Sequence, residues 1–98
     1  MRDTAYWFYV LYSLKDHKLY KGTCVDIGRR FLAHNAGKIT STRSRRPFIL
    51  LYIRCFDTKH DALHYERFAK SLAGGSELRQ LLVSQGLINS QGLLGSVG

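Results

Sequence analysis

Proline is almost missing from this chain: Pro47 is the only one in 98 residues, which excludes a proline-rich linker or spacer. Cysteine is scarce as well. Cys24 and Cys55 lie far apart and neither sits in a CxxC pair, which argues against a zinc module or a disulfide-stapled secreted scaffold and makes a reducing cytoplasm the expected location. Long apolar runs are also absent. The longest, Ala5 to Tyr12, is far too short to span a bilayer. It is aromatic and has no small-residue cleavage pattern behind it, so it reads as a buried strand and not as a signal peptide. No phosphate-cradling glycine loop of the NTPase type and no Ser-His-Asp or Cys-His array is present.

Negative charge is the remaining shortage. Seven Asp and Glu stand against fifteen Lys and Arg, a formal net charge of +8. In a small domain that points to a polyanionic partner, nucleic acid first and anionic membrane second, with a merely basic surface as the alternative. What the chain does have is apolar residues, at 45%, and aromatics, with six Tyr, five Phe and one Trp. This supports a folded domain, and the length allows one domain with a modest core.

The pattern along the chain reads β-β-α-β-α-α. Residues 5–13, AYWFYVLYS, and 18–22, KLYKG, form an expected antiparallel hairpin around a polar turn. From Asp26 to Ala36, Ile27, Phe31 and His34 recur at helical spacing, with Asp26 as N-cap and Gly37 as the stop. Residues 38–47 make a basic loop rich in hydroxyls. FILLYIRCF, 48–56, is apolar enough to read as a central strand covered on both sides. Thr58 with Asp61 resembles a capping box for a helix to about Leu72; Gly74-Gly75 reads as a break, and Ser76 as the cap of a last helix through Ser84, with Leu78, Leu81 and Leu82 inward. Residues 1–84 therefore read as a single α+β domain, a three-stranded antiparallel sheet flanked by helices, and 85–98, with its doubled SQGL, as a flexible Gly/Ser-rich tail.

Several residues carry chemistry. Arg30 and His34 lie one turn apart on the first helix. Arg30 has a planar fork suited to a phosphate oxygen, or it is a solvated helix residue. His34 can orient a neighbour or assist proton transfer, or it is a satisfied histidine at the core edge. Glu66 is a hard carboxylate suited to Mg²⁺ or Mn²⁺, or a surface residue paired with Lys70. Arg29, Lys38, Arg43, Arg45 and Arg46 are expected to meet phosphates without reading sequence. His60 and His64, at i and i+4, have the spacing of a helical zinc site, but no third ligand is evident.

The ordered set of Trp7-Phe8-Tyr9, Tyr20-Lys21-Gly22, Arg30 ten residues after Tyr20, His34, STRSRRPFILLY (41–52) and ALHYERFAKS (62–71) resembles the GIY-YIG nuclease family, in particular its small single-domain members, over about residues 6–82. The first motif keeps only its final tyrosine, and the second keeps its outer two letters. The asparagine that many members carry after the glutamate has no counterpart; Asn89 lies far into the tail. The resemblance implies a divalent-metal-dependent endonuclease acting on DNA phosphodiesters, with Tyr9, Tyr20, Arg30, His34 and Glu66 catalytic and Glu66 the ligand of Mg²⁺ or Mn²⁺. Tyr9 would take the proton of the attacking water, and Tyr20 would position water and phosphate. With no separate recognition domain, low sequence specificity is expected. The rival expectation is a non-catalytic nucleic-acid-binding module that kept the fold; an RNA target is a third.

Overall fold

A computed structural model describes residues 5–95. β1 (Tyr6–Ser13), β2 (Leu19–Cys24) and β3 (Phe48–Phe56) form one antiparallel sheet in the order β2-β1-β3. The helices are α1 (Ile27–Asn35), α2 (Lys59–Lys70) and α3 (Leu72–Ser84), with a short 3₁₀ turn at Arg43–Arg45. The expected element order and fold class are those observed.

Alternation along β1 splits the core in two. Phe8 and Val10 face α2 and α3, where they pack with Ala69, Leu78, Leu82 and Ile88. Tyr9 and Leu11 face α1, packing with Cys24, Phe48, Ile27 and Phe31. β1 is thus the central, covered strand. The expectation that 48–56 would be central is corrected: β3 is an edge strand, and its Leu50 and Ile53 are exposed. A nine-residue run that is apolar but for Arg54 looks the same in either place; which strand acquires two partners depends on long-range pairing.

Local chemistry sets most of the ends. The Asp26 side chain accepts from the Arg29 N–H at the start of α1, and Gly37 leaves it at a positive φ of 78°. Thr58 accepts from the Asp61 N–H and opens α2. At Gly74-Gly75 the structure corrects the reading. The pair lies inside α3, whose cap is Ser71 and not Ser76, with the Ser71 hydroxyl accepting from the Gly74 N–H. Here glycine permits a close approach: a Cβ on residue 74 would sit 1.8 Å from the Phe68 carbonyl oxygen.

The segment read as a flexible tail folds back where it is described. Ile88 is buried in the core, bridges to Leu94, and Asn89 accepts from the N–H groups of Gln91 and Leu93. Asn89 is therefore occupied as a turn former. Residues 1–4 and 96–98 lie outside the described part. Among the described residues, no helix is long and apolar enough to cross a membrane.

Candidate active site

The site begins with a glycine on an edge strand. Gly22 of β2 pairs with Tyr9 of β1, and a Cβ at 22 would meet the Tyr9 hydroxyl at 2.7 Å. The Tyr9 ring lies across the strand because residue 22 has no side chain. Its hydroxyl reaches His34 Nε2 at 2.9 Å, and His34 Nδ1 reaches the Thr42 hydroxyl at 2.8 Å. Tyr9 is 1% exposed, and His34 and Thr42 not at all. Tyr20, half-buried on the same face of β2, stacks edge-on against His34 with ring centroids 5.1 Å apart, and its ring centre is 6.3 Å from that of Tyr9. Arg30, exposed on α1, acts by its charge on Tyr9, His34 and Cys24. Four of the five expected catalytic residues are thus brought together on one face of the sheet.

The electrostatics divide the two phenols. Burial pushes the Tyr9 hydroxyl well above its ordinary pKa, Tyr20 adds to this, and Arg30 opposes it. Burial, then Arg30, pushes His34 down, so its imidazole is neutral at pH 7. A buried phenol held protonated is a poor acceptor for a water's proton. Burial thus opposes the general-base role expected of Tyr9 and Arg30 favours it, while Tyr20 is the phenol that reaches solvent.

Glu66 lies on the other face. On α2, its Oε1 accepts from the Thr23 hydroxyl at 2.8 Å and its Oε2 from Lys70 Nζ at 2.7 Å. Thr23 stands between Gly22 and Cys24 on β2, so alternation sends it toward α2 while Gly22 faces the tyrosines. β2 is an edge strand, so its outer edge is the part of the sheet that both groups flank. Lys21 shares the Glu66 side: its Nζ donates to the Ala69 carbonyl at 2.8 Å, and burial, then the charge of Lys70, lowers its pKa. Lys21 and Thr23 were missed by sequence reading. Strand alternation opposite the motif's tyrosine and glycine was the signal that could have found them.

For a divalent cation, Glu66 and the Thr23 hydroxyl offer hard oxygens, which suits Mg²⁺ or Mn²⁺. Among the described residues, no three of His, Cys, Asp and Glu cluster as ligands. Such an ion would be held by this one carboxylate together with water and phosphate oxygens. His60 and His64 stack with ring centroids 6.2 Å apart on α2.

The basic residues separate into two kinds. Arg29 and Lys38 line a groove beside α1, and Arg43 and Arg46 line another with Lys15, Asn35, Thr40 and Ser44. Arg45, expected on the phosphate-binding surface, is instead a clamp. Its guanidinium holds Asp16 at 2.5 Å and donates to the carbonyls of Lys18 and Leu19, and that hydrogen bonding holds the Asp16 carboxyl well below the usual carboxylate range. The Ser13 hydroxyl donates to the Arg45 carbonyl, so the basic loop is tied to the hairpin turn at both ends of this residue.

A direct consequence concerns Gly22→Ala. The new methyl group must push the Tyr9 phenol off His34, and overpacking of this kind costs about 1–3 kcal/mol. The variant is therefore expected to melt at a lower temperature, which thermal unfolding measures. A melting temperature equal to that of the unmodified protein would show that the sheet edge yields to the methyl group.

The sequence pattern of the GIY-YIG catalytic domain matches residues 5–76. Similar proteins include the "UPF0213 protein in ldhD 5'region" of Pediococcus acidilactici, 37% identical over 82 residues and covering 81% of this chain and 83% of that protein. A UPF0213 protein of Bacillus pumilus is 44% identical over 67 residues, 67% of each chain. One of Haloquadratum walsbyi is 38% identical over 87 residues, 88% of this chain and 93% of that one. A solution NMR structure of a UPF0213 protein from Bacillus halodurans is 32% identical, covers 79% of this chain and 84% of its own, and has a TM-score of 0.49. With the pattern spanning most of the sheet and helices just described, the chain belongs to the GIY-YIG nuclease family, alongside the UPF0213 proteins.

Proposed function

We propose that this protein is a divalent-metal-dependent endonuclease that hydrolyses DNA phosphodiester bonds with low sequence specificity. The observation that carries the reading is the buried row Tyr9–His34–Thr42, closed over Gly22 and ending beside Tyr20 and Arg30 at a free sheet edge. Burying three polar side chains in line costs stability unless each is satisfied, and an apolar packing would hold the strand as well. The row makes sense as a device that orients the groups at its open end.

In this reading the scissile phosphate lies across the edge of β2. Arg30 binds a non-bridging oxygen, and Tyr20 contacts the attacking water. Tyr9, its proton kept on the row, holds Tyr20 and Arg30 in place. Glu66, with Thr23, would hold Mg²⁺ or Mn²⁺, which supplies positive charge for the developing oxyanion. Arg29, Lys38, Arg43 and Arg46 follow the flanking backbone without reading bases. A net charge of +8 favours that encounter at low salt.

The test is cleavage of single-stranded DNA, duplex DNA and RNA with Mg²⁺, Mn²⁺ or chelator, run beside Tyr20→Phe. Metal-dependent DNA nicking that falls by about a hundredfold in Tyr20→Phe, with an unchanged melting curve, is the expected result. Undiminished turnover would remove Tyr20 from the chemistry. A second reading, a binding module without catalysis, draws on the fact that both Glu66 oxygens already have partners, Thr23 and Lys70. It predicts DNA binding with no cleavage under any metal.

A further inference from the structure

We infer that Thr42 is a positioning residue that fixes the tautomer of His34 and, through it, the direction in which the Tyr9 hydroxyl points. The inference rests on the proposed active site for its consequence, but the tautomer itself can be read without any activity.

The argument is a count of protons along the row. Thr42 is fully buried, and its hydroxyl sits between His34 Nδ1 at 2.8 Å and the Ile39 carbonyl at 3.5 Å. His34 Nε2 faces the Tyr9 hydroxyl at 2.9 Å. A neutral imidazole carries one N–H and one bare nitrogen, so the row runs one way or the other. In the first direction the Tyr9 O–H donates to Nε2, Nδ1–H donates to Thr42, and the Thr42 O–H turns to the Ile39 carbonyl. Every proton then has an acceptor. In the second direction Thr42 donates to Nδ1 and Nε2–H donates to Tyr9. The Tyr9 proton then points toward the Arg30 and Tyr20 side, where the guanidinium can only donate and no acceptor among the described residues lies within hydrogen-bond distance, the His34 ring being the one partner of the Tyr9 hydroxyl besides that guanidinium. The Ile39 carbonyl loses the hydroxyl and keeps only the Thr42 N–H. Buried donors are rarely left without acceptors, so the first direction is the one this geometry holds.

Direction matters because it decides what the Tyr9 oxygen offers at the cleft. With its proton on the His34 side, Tyr9 presents lone pairs toward Arg30 and Tyr20. Reversed, it presents a proton to a cation. The Ile39 carbonyl is what makes Thr42 an acceptor for the histidine, and Ile39 and Thr42 are joined further by the Thr42 N–H donating to the same carbonyl at 3.1 Å. The hydroxyl loop at 38–47 thus reaches into the site by this one residue, while Ser41 and Ser44 beside it stay exposed.

The experiment is nitrogen-15 NMR of the His34 ring in the unmodified protein, Thr42→Val and Thr42→Ser, with cleavage kinetics on the same samples. The unmodified protein is expected to show a protonated Nδ1 and a bare Nε2, and Thr42→Ser the same. Thr42→Val keeps the shape of the side chain, and is expected to shift His34 toward the Nε2–H form and to lower kcat about tenfold to a hundredfold with KM little changed. A protonated Nε2 in the unmodified protein would overturn the inference, and that reading stands even if Thr42→Val does not fold. So would a Thr42→Val protein that keeps both the tautomer and the turnover. If none of the proteins cleaves DNA but the nitrogen spectra change as expected, the tautomer assignment holds and the catalytic reading of the site fails.

Discussion

Replacing Glu66 with glutamine is expected to lower DNA cleavage by about a thousandfold while folding and DNA binding persist. The reason lies in how little else Glu66 does. Its contacts are the Thr23 hydroxyl and Lys70, and the Lys70 side chain is 52% exposed. With Glu66 itself only 19% exposed, such a half-open pair contributes on the order of 1 kcal/mol. Glutamine keeps the volume and one oxygen for Thr23, so the melting temperature should hardly move. What it removes is the negative charge to which the proposed function assigns a divalent cation, and it also frees Lys70. DNA affinity should therefore be equal or slightly greater, because the surface becomes more positive. Cleavage by Glu66→Gln at the unmodified rate in Mg²⁺ would show that this carboxylate holds no catalytic ion. A melting temperature that falls with activity would make Glu66 a structural link between α2 and β2.

Gly74→Ala is expected to be the most damaging single methyl group in the described part of the chain. Its Cβ would lie 1.8 Å from the Phe68 carbonyl oxygen and 2.9 Å from the Phe68 ring. The first obstacle is backbone and cannot rotate away. α3 would have to lift off α2, and Leu78 and Leu82, buried on the same helix, would lift with it. Overpacking ordinarily costs 1–3 kcal/mol, and a backbone collision lies at or above the top of that range, about 3 kcal/mol. In a domain of this size that corresponds to a loss of more than about 10 °C in melting temperature. Gly75→Ala is the control, since its nearest contact is 3.2 Å, and alanine favours the helix. Equal melting temperatures for the two variants would show that the α2–α3 corner yields easily and that glycine is not required there.

The same corner shows where reading from sequence stops. Gly74-Gly75 looks like a break by propensity, and propensity is overridden because two helices touch at that point. β3 shows the same limit for strands, since its apolar run says that it pairs and not with how many neighbours. Arg45 was indistinguishable from Arg43 and Arg46 as one charge in a basic loop, and only its contact with Asp16 across the hairpin turn separates them. Asn89, the only downstream asparagine, is engaged in its own turn.

Local rules were sufficient elsewhere. Asp26, Thr58 and Gly37 act within one helical turn of themselves, so their roles can be read without a fold. Helical spacing put Ile27, Phe31 and His34 on one face, and they pack there. The element order and the fold class needed only neighbouring residues and periodicity, and the family resemblance needed only an ordered set of residue types, so the sequence by itself determined them. The tertiary structure alone decided that Tyr9 is buried with its phenol kept protonated, that Thr42 stands behind His34, and that Glu66 approaches the edge of β2 from the face opposite the tyrosines. Each of these depends on which residues meet across the sheet, and the burial that shifts a pKa or selects a tautomer exists only once those distant segments have closed over one another.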